Sequence, residues 1–230
     1  MIDFQPPLMD TIAAGVFLFC WFGYGLLVKA VARRRPSMLS AIRTFRERWI
    51  ERMCERDNHV SDAALLGNLL RGALFFASTT VFILGGLGAL LGTASRVAEV
   101  VSQLPYTQPA EPRLAEIKAL ILILLYIYAF FKFTWSAWQY NVLSIMVGAI
   151  PAPGSESERR SNFIEAGSRL VALAGESYNH GIRAYYFSIP LMAWFIHPLM
   201  FLASTLVIAI ILYRRDFHSP VLDALRRVKA

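Results

Sequence analysis

The chain has 230 residues, 56% hydrophobic and 17% charged, with a mean hydropathy of +0.47 and a formal net charge of +7. A soluble domain carries nearer a quarter charged residues, so this composition points to a membrane protein instead. The arginines sit beside apolar runs and not in any nucleic-acid module, which makes membrane lipids their partners and argues against nucleic acid.

Residues 1–8 carry Asp3 and no basic residue, unlike the positive start of a signal peptide. An apolar run over residues 9–31 predicts the first crossing, with Pro6 and Pro7 suited to a helix start. Arg33, Arg34 and Arg35 with Pro36 stop it, and the three arginines are read as headgroup contacts. Gly15, Gly23 and Gly25 permit a close helix neighbour or are ordinary membrane-helix composition. Trp21 and Tyr24 are read as interface anchors.

Residues 37–56 repeat Met38, Ile42, Phe45, Trp49 and Met53 at spacings of three and four, one face of an amphipathic helix. Two placements stay open: flat in the headgroup plane, with Trp49 at the interface, or packed on neighbouring helices as a cytosolic extension. After a turn at 57–61, Ser61 or Asp62 is expected to cap the next helix. Its lipid portion, 69–91, carries a stripe of Gly72, Ala73, Ala77, Thr80 and Gly88 suited to a tight helix contact. The hydroxyls of Ser78, Thr79 and Thr80 either bond back to helix carbonyls or line a polar path.

Residues 93–116 form a loop, where Pro105, Pro109 and Pro112 preclude a long regular element. The third crossing, 117–146, is rich in aromatics, and Lys132 stands alone as a charge deep in its apolar run. An isolated charge at a helix centre costs ~2.5–3.5 kcal/mol, so Lys132 must snorkel to the surface or face protein. Gln139 and Asn141 are interior hydrogen-bonding groups or mark where lipid ends.

Pro151 and Pro153 end this helix. Ser155 and Glu158 match a capping box opening a second amphipathic helix over 158–178, with Gly181 suited to end it. A last crossing is expected over 185–213, kinked by Pro190 and Pro198 and stopped by Arg214, Arg215 and Asp216. The tail suits a short amphipathic helix with Pro220 in its first turn.

The predicted fold is therefore all-α and polytopic: one membrane domain over 1–230 with four transmembrane helices and amphipathic cytosolic or interfacial helices. Fourteen basic residues (Lys29, Arg33, Arg34, Arg35, Arg43, Arg46, Arg48, Arg52, Arg56, Arg71, Arg159, Arg160, Arg169 and Arg183) fall in or beside the loops 32–68 and 151–184. Four crossings leave eight on the other side, so these loops are expected in the cytoplasm and both termini outside. The basic tail opposes that arrangement.

The candidate polar residues are Lys132, Gln139, Asn141, Asn179, His180, Arg183 and His197, with Ser78, Thr79 and Thr80. Arg183 beside Tyr185 and Tyr186 suits an anionic headgroup or ordinary interfacial anchoring. No cofactor is expected. His180 and His197 are seventeen residues apart, ~25 Å along a helix, too far to share one haem. Cys20 and Cys54 stand in unlike surroundings, and the spanning runs are read as lacking carboxylates, so no metal site is expected.

Trp21, Gly23-Tyr24, Phe75 to Thr80, Phe130 to Phe133, Asn179 to Arg183, Tyr185 to Phe187 and Trp194-Phe195 together carry a likeness over nearly the whole chain. In these the chain resembles a family of bacterial four-helix integral membrane proteins known only as a domain of unknown function. The resemblance implies an inner-membrane protein and carries over no activity. Two function classes stay open: a homo-oligomeric channel or transporter-like protein for a small solute or ion, or a structural subunit that binds a protein partner or lipid. An enzyme acting on lipid ranks third.

Overall fold

The computed structural model describes residues 7–35, 37–92, 112–152 and 155–229, and every regular element among them is helical. In chain order these are α1 (Leu8–Ala32), α2 (Met38–Met53), α3 (Val60–Leu91), α4 (Pro112–Val147), α5 (Ser157–Ala193), α6 (Pro198–Phe217) and α7 (Pro220–Lys229). Four stretches are long and apolar enough to cross a membrane: Leu8–Ala32, Val60–Leu91, Arg113–Val147 and the one beginning at Pro198. Phe19, Phe82 and Ile145 point outward from the bundle, the reverse of a water-soluble arrangement. The chain is a membrane protein. The expectations for Pro6, Pro36, Pro153 and residues 93–111 of the expected loop lie outside the described residues; its last five residues, 112–116, are instead helical, with Pro112 opening α4, where a missing N–H costs nothing.

α4 lies at the centre, packed along α3 on one side and α5 on the other, while α6 packs on α5 and α1. Phe133, Phe187 and Phe201 fill the middle with no exposed surface. Hydroxyl groups bind where helices touch: Ser136 donates to the Ala174 carbonyl at 2.8 Å and Tyr126 to Ser188 Oγ at 2.9 Å. In lipid there is no hydrophobic drive between helices, so such small residues and internal hydrogen bonds set the packing.

The amphipathic helix α2 starts at Ser37, whose side chain accepts from the Ser40 backbone N–H. Of its two expected placements, packing on neighbours is observed. Ile50 and Met53 are fully buried with Leu66 of α3, Leu143 of α4 and Val171 and Ala174 of α5. Trp49 donates its indole N–H to Asp62 Oδ1 at 2.7 Å, and Arg56 binds the same oxygen at 3.0 Å. Asp62 is thus an interhelical anchor in the first turn of α3 and not its cap; His59 holds the cap position, and Asn58 Oδ1 accepts from Val60 N–H. Cys54, at the end of α2, is buried, and burial pushes its thiol up, against the nearby Arg160. We expect it to react with iodoacetamide at pH 8 about tenfold or more slowly in the folded protein than after denaturation. Equal rates would show this end of α2 to be undocked.

Three sequence expectations change at α5. The capping box is not formed: Glu156 holds the cap position without a side-chain bond, and Ser155 Oγ bonds the Ala152 carbonyl. Gly181 does not end the helix, which continues to Ala193; its bare backbone instead lies against the Phe133 ring. The expected single crossing over 185–213 is two elements. Pro190 lies one turn from the end of α5, and a proline at 198 forces its predecessor out of helical geometry. His197 is accordingly extended (φ −158°, ψ 139°) and caps α6, its Nδ1 accepting from Leu199 N–H at 3.1 Å.

This reversal alters where the chain ends lie. α5 ends beside the start of α1, where Trp194 Nε1 meets Asp10 at 2.7 Å. α6 then returns, so that Asp216 meets Tyr24 near the other end of α1, and α7 packs on α2. The described chain ends therefore sit at opposite ends of the bundle. The basic tail packs on α2, beside the basic loops.

Candidate functional site

Two polar centres mark the two ends of α1, and only parts of them were legible in the sequence. At its start, Asp10 and Lys118 form a buried ion pair at 3.2 Å, with 3% and 4% of each residue exposed. Lys118 Nζ also donates to the Trp194 carbonyl at 3.0 Å and lies 5.1 Å from the Trp194 ring centroid. That carbonyl is one of those left without a helical donor where α5 stops, so the lysine completes the helix end. Asp10 falls within the first expected crossing, which corrects the reading that spanning runs lack carboxylates; its presence in an apolar run was the available signal.

Fourteen residues further, ~21 Å along α1, Tyr24 donates to Asp216 Oδ2 at 2.8 Å. Arg215 Nε binds the other carboxylate oxygen at 3.0 Å, and Arg215 Nη2 donates to Asn179 Oδ1 at 3.0 Å. The same guanidinium lies 5.5 Å from the Tyr186 ring. Asp216 is thereby neutralised by Arg215. Tyr24, expected as an anchor, is buried and hydrogen-bonded internally.

Arg183 has no such partner. It is 8% exposed, its guanidinium stacks 4.8 Å from the Tyr24 ring centroid, and no carboxylate of the described residues lies within ion-pair distance. Its buried Nε–H has no hydrogen-bond partner among the described residues. The guanidinium borders a cleft of about 450 Å³ between α1, the first turns of α2 and the middle of α5. Arg46 lines the same cleft from α2, and its guanidinium rests on the backbone of Gly175, where any β-carbon would collide with it. Arg43, also on the wall, is paired with Glu47 at 2.9 Å, and His180 stands 3.7 Å from Glu176. Phe22 and Leu26 form the apolar lip. The cleft can therefore hold an anion by charge-assisted hydrogen bonds in a partly desolvated setting.

Of the sequence candidates, Asn179, His180 and Arg183 meet here. Arg46 was counted only as a basic residue, because nothing local to α2 reveals that it faces α5. Tyr185 and Thr80 bind one another at 2.8 Å between α5 and α3, and Thr80 also bonds back to Phe76 at 2.6 Å. Thr79 bonds back to Phe75, and Ser78 is exposed. Gln139 accepts from Ser177 at 3.2 Å. Asn141 is exposed, Lys132 is half-buried with its ammonium 5.5 Å from the Tyr128 ring, and His197 belongs to the opposite end of the bundle. Arg33, Arg34 and Arg35 are exposed just beyond α1. Among the described residues no group of three His, Cys, Asp or Glu side chains is placed to hold a metal.

Comparison with curated proteins and with solved structures finds no match. The model of a family described as protein of unknown function, DUF599, matches residues 12–221, and with that span covered the chain belongs to this family.

Proposed function

We propose that the protein is a multi-pass membrane protein that binds an anionic ligand in the cleft between α1, α2 and α5. One observation carries the reading: beside that cleft Arg183, nearly fully buried, keeps an Nε–H with no hydrogen-bond partner among the described residues, and none of their carboxylates lies within ion-pair distance of it. A buried charge without a partner is costly, and a bound anion offsets that cost. The alternative, a path for a small solute, draws less support. It expects Lys132 and Ser78 to Thr80 to face a common aqueous line between subunits, yet Thr80 is turned inward and bound to Tyr185. We expect at least one of inorganic phosphate, a soluble phosphate ester or an anionic lipid to raise the melting temperature of the purified protein, and not of Arg183→Gln. If none discriminates between the two proteins, the reading falls.

The second half of α5 serves in this reading as a fifth traverse, short and polar on one side, and the cleft lies at the cytosolic surface. The fourteen basic residues named above and Arg214, Arg215, Arg226, Arg227 and Lys229 of the tail belong to the half of the molecule that holds the cleft. Of the described basic residues of the loops and termini, Arg113 and Lys118 belong to the other, a bias that the positive-inside rule assigns to the cytosol. A green fluorescent protein fused after Ala230 should fluoresce when expressed in bacteria. A dark fusion with an active alkaline phosphatase counterpart would invert the orientation.

A further inference from the structure

We propose that the occupant of this cleft is a long-chain lipid with a phosphate headgroup, drawn sideways from the leaflet that meets Arg33, Arg34 and Arg35; the assignment rests on the anion-binding reading above. The shape of the cleft distinguishes this ligand from a free anion. Its α1 wall runs from Phe22 to Ala32, ten residues or ~15 Å, from hydrocarbon depth to the start of the arginine cluster. At the deep end Phe22 and Leu26 are 67% and 70% exposed, so the lip of the cleft is continuous with the lipid-facing surface of α1. A soluble anion would leave this apolar half uncovered, whereas an acyl chain lies along it.

The charges are graded along the same axis. Arg183 is the deep cation, and Arg46 touches α5 at Gly175, eight residues or ~12 Å nearer the cytosol. A lipid phosphate on Arg183 therefore extends its headgroup towards Arg46. Gly25 opens the way to Arg183: a β-carbon there would already be 3.7 Å from Arg183 Nη1, and a longer side chain would fill the approach. Guanidinium groups match phosphate oxygens in a two-pronged geometry, and anionic lipids with phosphate heads are what a basic cytosolic surface meets.

The full chain reconstituted in phosphatidylcholine nanodiscs, with dioleoyl phosphatidic acid or phosphatidylglycerol added, tests this by native mass spectrometry of retained lipid. Inorganic phosphate serves as competitor. Wild type should retain the phosphate lipid about tenfold over phosphatidylcholine. Arg183→Gln and Gly25→Leu should both lose that enrichment with unchanged circular dichroism, and a triple Arg33, Arg34 and Arg35 to Ala variant should keep it. Inorganic phosphate should not displace the lipid. Enrichment equal in wild type and both cleft variants would overturn the assignment, as general attraction to the surface. Equal competition by inorganic phosphate would also overturn it while leaving anion binding intact, and binding of no anion at all would remove both.

Discussion

Asp10→Ala should lower the stability of the protein by about 3–5 kcal/mol, and Lys118→Ala should do the same, because each leaves the other charge buried and unpaired. The loss from Asp10→Ala includes a second bond, since the Trp194 indole N–H donates to the same carboxylate oxygen. The ion pair, the indole and the Trp194 carbonyl join the start of α1, the start of α4 and the break between α5 and α6. Asp10→Leu combined with Lys118→Met should recover part of the stability, since an apolar pair of similar volume removes the desolvation of the two charges while leaving the Trp194 indole N–H and carbonyl without these partners. Unfolding in mixed micelles with increasing dodecyl sulfate measures all four proteins. Additive losses in the double variant would show that the two side chains do not act as a pair.

Gly181→Ala should cost about 1–3 kcal/mol, and Gly181→Val more, by overpacking. A β-carbon at 181 would stand 2.6 Å from Phe133 Cε1 and 2.7 Å from Cζ. The ring has nowhere to go: it stacks on Phe76 at 5.1 Å and meets Tyr178 and Tyr185 edge-on at 5.6 and 5.7 Å. Gly72→Ala is the control, because nothing lies within 4 Å of a β-carbon there. It should be neutral or slightly stabilising, as alanine is the better helix former by about 1 kcal/mol. The same unfolding titration applies, and equal behaviour of the two alanine variants would refute the close contact between α4 and α5.

This contrast shows why the glycines were hard to read. Gly181 follows Asn179 and His180 and has the look of a helix terminus, yet it marks a close approach, while the glycine-rich end of α3 expected to pack tightly has open space at Gly85, Gly86 and Gly88. A glycine has no side chain to declare which way it faces, so only the neighbour's position tells a contact from a stop. Trp49 is similar: its place on an amphipathic face was evident, but its bond to Asp62 depends on how α2 folds back over α3.

The reversal at Trp194 to His197 was missed because hydropathy does not change there. Its signal was present in the residue before Pro198, which cannot readily stay helical. Arg183 was singled out by its position among aromatics, but Arg46, Tyr24 and Asp216 gained their meaning only from helices distant in the chain. Tyr24 and Asp216 are 192 positions apart.

The sequence by itself determined that this is an all-helical membrane protein with four long apolar helices, because in hydrocarbon a backbone must satisfy its own hydrogen bonds and each spanning segment must be apolar over its length. Those are properties of one segment at a time. The tertiary structure decided that α5 and α6 are separate antiparallel elements, that Asp10 finds Lys118, and that Arg183 stands beside a cleft with no described carboxylate at ion-pair distance. Polar pairing within a bundle depends on which helices become neighbours and at what depth. No single segment carries that information, since every apolar helix is equally content against lipid until a buried charge selects its partner.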